Sequence, residues 1–324
     1  MTIVFATNDL ADFPGAIEVT TAGKFRADYV SEAFIVCNGD DFTVITSSWS
    51  NFPEVSGDIT WIHFQYSKFR VIVDSVSVDG ETLFAAYDSS GNKMFHFDLS
   101  NGKVQMFLDG VLKSSFTDPI KLDLVSIDMK FDTTGANTVV DYYVNSALIA
   151  RITAASTSGN PIALHWRSFD HVDFSSVTNE HVSEFIVADE DTRNMGLSLL
   201  TPTSAGNHTG WNGDYVELGD NDLGTGAVAG STGLKLSSVM SAYAGPATSG
   251  LRALVVNNKG STRGSVGDIR NFLRMSATDY NGAAMGVTET IKTYVTVFDT
   301  NPDTSDVWAS SDFSGVEVGV ESLA

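Results

Sequence analysis

Thr82-Leu-Phe-Ala-Ala-Tyr87 runs through Ser89-Ser-Gly-Asn92 into Lys93-Met-Phe-His-Phe-Asp98. Ser100-Asn-Gly102 then turns the chain into Lys103-Val-Gln-Met-Phe-Leu108, and Asp109-Gly110 turns it again. Short alternating segments joined by Asn-Gly or Asp-Gly are the strongest local hairpin signal, because these pairs tolerate the positive φ angles of a two-residue turn. The pattern continues to Arg151, where Thr138-Val-Val-Asp-Tyr-Tyr-Val144 meets Asn145-Ser146 and returns as Ala147-Leu-Ile-Ala-Arg-Ile152. Such a chain predicts an all-β fold, an antiparallel sandwich or barrel.

Working outward, Ile59-Thr-Trp-Ile-His-Phe-Gln-Tyr66 places Ile62, Phe64 and Tyr66 on one face and Trp61, His63 and Gln65 on the other. Lys121–Phe131 alternates as well, with Leu122, Leu124, Ile127, Met129 and Phe131 as core candidates. Its phase breaks near Val125-Ser126, which suits a bulge. Leu164–Trp166 and Val182–Ala188 complete a first domain over 1–190. An acidic turn and the Thr201–Asn207 loop composition predict a linker over 191–210, and 211–324 reads as a smaller β-rich domain. There Tyr215–Leu218, Arg252–Asn257, Asn271–Ser276, Glu289–Phe298 and Val316–Glu321 read as strands. Helical periodicity is nearly absent. Only Leu234–Ala242 and Gly267–Met275 offer room for a short helix.

The chain has 324 residues, 43% of them hydrophobic, and a formal net charge of −21. That is enough length for a substantial core. The acidity repels phosphate backbones, so direct nucleic-acid binding is not expected. No apolar run approaches a membrane span. The N-terminus lacks the basic and apolar regions of a signal peptide, which predicts synthesis in the cytosol without conventional export. Cys37 is the single cysteine, so no intrachain disulfide can form, and its strand context predicts a buried thiol.

A sandwich glycosidase needs two carboxylates flanking the scissile bond. The nearest candidates are Asp170 with Asp173, Glu184 with Asp189–Asp191, and Asp123, Asp128 and Asp132. None has the spacing of a dedicated pair, and Gly-x-Ser-x-Gly and phosphate-loop motifs are absent. The expectation is a non-enzymatic protein. The six histidines form no close His-x-His or His-x3-His pair, so no transition-metal site is indicated. Asp189, Asp191, Asp220 and Asp222 are candidate Ca²⁺ ligands, because clustered carboxylates are hard oxygen donors; no other cofactor is expected. His165, Trp166 and Arg167 are candidate glycan contacts, and Trp61 offers a second stacking face. Arg252, Lys259, Arg263, Arg270 and Arg274 concentrate positive charge in an acidic chain and are candidates for an interface with a partner or another copy.

Residues 58–190 resemble concanavalin A-like sandwiches of the laminin G type. The features are Ile59–Tyr66, the hairpins through Asp109-Gly110, and Asp141-Tyr-Tyr-Val-Asn145 before Leu148-Ile-Ala. That family usually has Gly after the Asn; Ser146 stands there. The C-terminal part resembles tailed-bacteriophage virion proteins, through Phe185–Thr192, Leu200–Gly206, Trp211-Asn-Gly213, Thr293–Val297, Asn301–Trp308 and Phe313–Gly319. The resemblance implies a multi-copy virion component on the outside of the particle, tail-associated as a fibre, adhesin or tail component. Its implied partners are other virion proteins, copies of itself and a host-surface glycan. The alternatives it leaves are a capsid decoration protein and a lectin-like module, with a polysaccharide hydrolase or lyase the least favoured.

Overall fold

The computed structural model describes residues 3–7, 17–19, 33–38, 48–70, 81–100, 103–117, 124–155, 159–166, 178–219, 225–245, 250–262 and 267–324. The chain forms two compact units, Met1–Leu197 and Ser198–Ala324.

The first unit contains β1 (Ile3–Thr7), β2 (Ile17–Val19), β3 (Ala33–Asn38), β4 (Ser48–Asn51), β5 (Ile59–Arg70), β6 (Glu81–Tyr87), β7 (Lys93–Ser100), β8 (Lys103–Leu108), β9 (Val111–Thr117), β10 (Val125–Asp132), β11 (Thr138–Val144), β12 (Ala147–Ala154), β13 (Ala163–Trp166) and β14 (Thr178–Ala188). An eight-stranded sheet runs β12-β11-β10-β5-β14-β3-β2, with β1 also on β14. A six-stranded sheet runs β4-β13-β6-β7-β8-β9. Pairing is antiparallel throughout, and the two sheets form the expected sandwich.

The alternation of β5 decides what lies between the sheets. Ile62, Phe64 and Tyr66 are fully buried. Phe64 is the hub of the core, its ring centroid 5.8 Å from Phe84, 5.7 Å from Trp166 and 6.4 Å from Phe185. Phe97 on Tyr142 and Phe95 on Phe131 extend this aromatic layer between the sheets. Interiors pack at crystal-like density, so each ring is fixed by its neighbours.

Several expectations change in detail. No bulge interrupts Val125-Ser126, because β10 begins there and pairs with β5 in regular register from Val125↔Tyr66 to Asp132↔Ile59. Val125, Ile127, Met129 and Phe131 therefore form one unbroken buried row. Leu124 is half-buried, and Leu122 lies outside the described residues. The turn that lacks the family's Gly is made by Asn145 (φ 49°) and Ser146 (φ 65°), both left-handed. The Asn145 side-chain oxygen accepts the Ser126 amide at 2.9 Å, which fixes the turn without glycine. Cys37 is on β3, and its side chain lies outside the described residues.

The second unit contains β15 (Pro202–Thr209), α1 (Tyr215–Gly219), β16 (Lys235–Met240), β17 (Leu254–Gly260), β18 (Asp268–Met275), β19 (Thr278–Asn281), β20 (Met285–Gly286), β21 (Lys292–Phe298) and β22 (Glu317–Leu323). Its main sheet runs β15-β16-β22-β18-β19 with β20 on β18, and β17 pairs with β21. Both segments allowed as short helices are strands, β16 and β18. The stretch read as a strand at Tyr215–Leu218 is instead the one α-helical turn among the described residues, capped where Asp214 accepts the Val216 amide at 2.7 Å. The stretch expected as a linker is the end of the first unit followed by β15. Leu254, Val256, Leu273, Trp308, Phe313 and Val316 form one apolar cluster, and Leu236, Ile269, Tyr294 and Val320 another. No helix among the described residues is long and apolar enough to cross a membrane.

Candidate functional site: the strapped outer face of the large sheet

Register places the second side-chain set of β5 on the face of the large sheet turned away from the core. His63 lies opposite Asp128 of β10 and Ile186 of β14, and Gln65 lies opposite Ser183. Asp128 in turn faces Tyr143 of β11. Outer faces of sandwich sheets are ordinarily solvated, with polar residues alternating against the core. Here His63 and Asp128 are wholly buried and Gln65 nearly so.

A strap formed by Asp189–Leu197 crosses this face. Thr192, also wholly buried, donates its hydroxyl to Asp128 Oδ1 at 2.8 Å. The same oxygen lies 2.9 Å from His63 Nδ1, and the other ring nitrogen, Nε2, is 3.5 Å from the Gln65 side-chain nitrogen. Arg193 follows, its guanidinium 4.7 Å above the Tyr143 ring and 5.7 Å from the Trp61 ring. Those two rings are stacked 5.6 Å apart. A guanidinium over aromatic faces is attracted by their quadrupoles and shields them from water. Asp191 grips Arg193 from the other side through both carboxylate oxygens, at 2.5–3.0 Å. That fork holds the Asp191 carboxyl below its ordinary value and raises the arginine further. Past a turn closed by the Met195 amide on the Thr192 carbonyl, the Leu197 amide donates to Glu184 Oε2 at 3.0 Å. Glu184 sits at a bulge of β14 with φ 54°, an unusual conformation for a non-glycine residue.

Among the described residues, Asp128 Oδ2, Ser183 Oγ and Ser67 Oγ are buried polar atoms of this face with no hydrogen-bond partner. Toward its edge the charges are instead matched. Arg151 holds both oxygens of Asp141 at 2.5 and 2.7 Å, and Lys130 reaches Asp132 at 2.8 Å. Hydrogen bonds from Lys130 and Thr134 hold the Asp132 carboxyl down at about 2. Burial, then the neighbouring Asp141, pushes the Tyr143 phenol up.

The residues expected to carry function are distributed differently. Trp166 is fully buried against Phe64 and Phe185, so it is a core ring and presents no face to a sugar. Its parity with buried Leu164 is the signal that places it inward, and it turns His165 the other way, beside Tyr87. Asp189 and Asp191 lie on the strap, where Asp191 is the counter-ion of Arg193. Among the described residues, no group of His, Cys, Asp or Glu is arranged to hold a metal ion. Arg167, Asp123, Asp170, Asp173, Asp220, Asp222 and Arg263 lie outside the described residues.

The positive patch of the second unit is internally balanced in large part. Arg270 pairs with Glu321 at 2.7 Å, and Arg274 with Asp279 at 2.6 Å. Asp279 also receives Lys235 at 2.7 Å and His208 at 2.9 Å. Burial raises the Asp279 carboxyl, but these donors outweigh it and hold it well below the ordinary value. Lys259 lies on β17, and Arg252 is exposed just before it. The strap and the Trp61–Tyr143 stack escape a reading by local spacing, since Thr192 meets Asp128 across 64 positions. Only Trp61 carries a local hint, as an aromatic on the outward parity of a long strand.

No protein-family model matches the chain, and no curated protein does. Among solved structures, the binding domain of botulinum neurotoxin serotype G aligns with a TM-score of 0.39 and 10% identity, over 58% of this chain and 44% of that one. The endo-1,3-β-glucanase of Streptomyces sioyaensis aligns with a TM-score of 0.36 and 10% identity, over 57% of this chain and 95% of its own. The alginate lyase of a Corynebacterium species aligns with a TM-score of 0.29 and 16% identity, over 44% and 67%. The chain spans under half of the neurotoxin structure, and the likeness is one of sandwich architecture.

Proposed function

We propose that this chain is a non-enzymatic recognition and packing module, in its specific form a bacteriophage virion protein on the outside of the particle, tail-associated and present in multiple copies. One observation carries the non-catalytic part. The described carboxylates of the outer face are each held by the chain itself: Asp128 by His63 and Thr192, Asp132 by Lys130, Asp141 by Arg151, Asp191 by Arg193, and Glu184 by the Leu197 amide. Acid–base cleavage of a glycosidic bond requires a pair in which one carboxyl donates a proton and the other attacks or activates water. Carboxylates tied to donors of their own chain are poor at both. The virion part is supported by the sequence resemblance of the C-terminal unit. Mass spectrometry of purified particles with copy counting tests it: a few copies per particle fit the tail, hundreds fit a capsid decoration protein, and absence from particles removes the virion reading. Turnover of any host polysaccharide by the purified chain would remove the non-enzymatic one.

A second reading, glycan recognition, is favoured by the stacked Trp61–Tyr143 pair, since flat ring faces bind the apolar faces of sugars. A glycan array with the isolated chain tests it.

A further inference from the structure

We propose that the strap Asp189–Leu197 is a self-occupying lid over a neutral-saccharide site on the outer face of the large sheet, with Arg193 seated where a sugar ring stacks. The inference rests on the glycan-recognition reading and adds the place, the ligand class and the means of control.

The closed face has the two parts such a site needs. The first is a platform. Trp61 and Tyr143 are stacked and solvent-shielded, and the planar group over them is supplied by the chain itself. The second is a row of polar atoms left incomplete. Asp128 Oδ2, Ser183 Oγ and Ser67 Oγ lie on the three neighbouring strands β10, β14 and β5 of one face, buried and without partners. Native interiors satisfy most buried polar groups, so three such atoms on one face mark a place where partners come from outside the fold. Sugar hydroxyls donate and accept at once, which suits a carboxylate oxygen and two hydroxyls spaced along one face, as successive rings of an oligosaccharide would meet them. The Thr192 hydroxyl on Asp128 Oδ1 already makes the bond a sugar hydroxyl would make.

The lid is held by side chains and single amides. Asp189–Leu197 joins no strand ladder after Ala188. Its attachments include the Thr192 hydroxyl, the Leu197 amide, the Arg193 stack, and Ser146 donating to Asn194 at 3.1 Å. The Asp191–Arg193 fork lies within the strap and leaves with it, so opening does not separate that ion pair. Charge selects the ligand class. With the chain at −21 and the edge carboxylates Asp141 and Asp132 already matched by Arg151 and Lys130, the net field repels an acidic sugar and leaves a neutral one unaffected.

The test compares the full chain with Arg193→Ala, titrating maltohexaose, cellohexaose and laminarihexaose by calorimetry while hydrogen exchange follows the strap amides. A site held closed loses apparent affinity by the fraction of time it is shut, so releasing the lid strengthens binding. The expected result is faster exchange over 192–197 and at least about tenfold tighter binding of one hexasaccharide than in the parent. Gln65→Leu in the Arg193→Ala background should then abolish the gain. If Arg193→Ala fails to fold, Arg193→Lys is read in its place, since it keeps the charge and loses the plane. Equal binding by parent and variant would overturn the inference while leaving glycan recognition intact, with its site elsewhere. An opened strap with flat titrations would overturn both, and an unaltered strap would overturn the lid.

Discussion

Each of the two units covers part of its large sheet with a length of its own chain, the first an outer face with the strap and the second an edge with β15, and the covers are built differently. In the first unit the strap meets a polar layer whose hydrogen bonding is incomplete at Asp128, Ser183 and Ser67. In the second, β15 leaves regular register between Ala205 and Thr209 and brings Asn207 and His208 against side chains of the sheet. There Glu317 receives the Asn207 amide at 2.8 Å, the Asn207 side chain, and the Ser237 hydroxyl at 2.7 Å. Burial raises the Glu317 carboxyl, and these donors outweigh it to hold it below the ordinary value. Asp279 collects Lys235, Arg274 and His208 beside Phe272, over which Lys235 also lies at 5.2 Å. The second layer leaves a nitrogen, Arg274 Nε, without a partner but satisfies its carboxylates, which suits a layer that stays shut; the first leaves a carboxylate oxygen and two hydroxyls free, which suits exchange of partners.

The largest expected break of this contrast is Asp279→Ala. It strands Lys235, Arg274 and His208, partly buried, without their common counter-ion. Urea unfolding of the second unit should register a loss of about 3 kcal/mol. Next is Gly206→Ala. A Cβ there would sit 2.4 Å from both Glu317 Oε2 and Ser237 Oγ and 2.9 Å from the Ser237 backbone. Seating β15 again should cost about 2 kcal/mol by the same measurement. The corresponding cut in the first unit is Thr192→Val. It should cost about 1 kcal/mol, since Asp128 keeps His63. A larger loss there than for Asp279→Ala would reverse the comparison.

Two smaller effects sharpen it from outside the covers. Ser276 (φ 48°) and Ala277 (φ 67°) turn β18 into β19 with both residues left-handed, so Ala277→Gly should stabilise the second unit by about 0.5–1 kcal/mol. On the outer face of the small sheet of the first unit, His96 stacks on Phe107 at 4.5 Å. Burial lowers its pKa, Asp98 raises it, and Lys93 lowers it. The net shift is downward, so the folded state binds this proton less readily than the unfolded chain. Its contribution is therefore present above the ordinary histidine value of 6.5 and is lost as pH falls below it. Thermal melts across that range should show a shallower pH dependence for His96→Gln than for the parent.

What was readable in advance follows from range. Asn-Gly and Asp-Gly turns act within four residues, and the two faces of β5 follow from alternation alone, so the sandwich and the Phe64 core were legible. The role of Trp166 was legible in principle from its shared parity with Leu164, but an isolated Leu-His-Trp-Arg reads equally well as a contact surface. Arg270 and Arg274 looked like a free patch because Glu321 and Asp279 reach them only through sheet pairing. The short α1 was missed because Asp214 and Glu217 fix it through capping bonds, and the pattern of apolar residues carries no trace of them. The strap depends on contacts from Thr192 and Arg193 to strands more than 45 positions away, which no local periodicity records.

The most direct test sets one cover against the other by native-state hydrogen exchange. The Leu197 amide donates to Glu184 and the Asn207 amide to Glu317, each into a buried carboxylate. Local opening exposes an amide according to the free energy of the segment that carries it. A strap built to open predicts that Leu197 exchanges at least about tenfold faster than Asn207 after correction for intrinsic rates. Equal protection at the two amides, or slower exchange at Leu197, would contradict it.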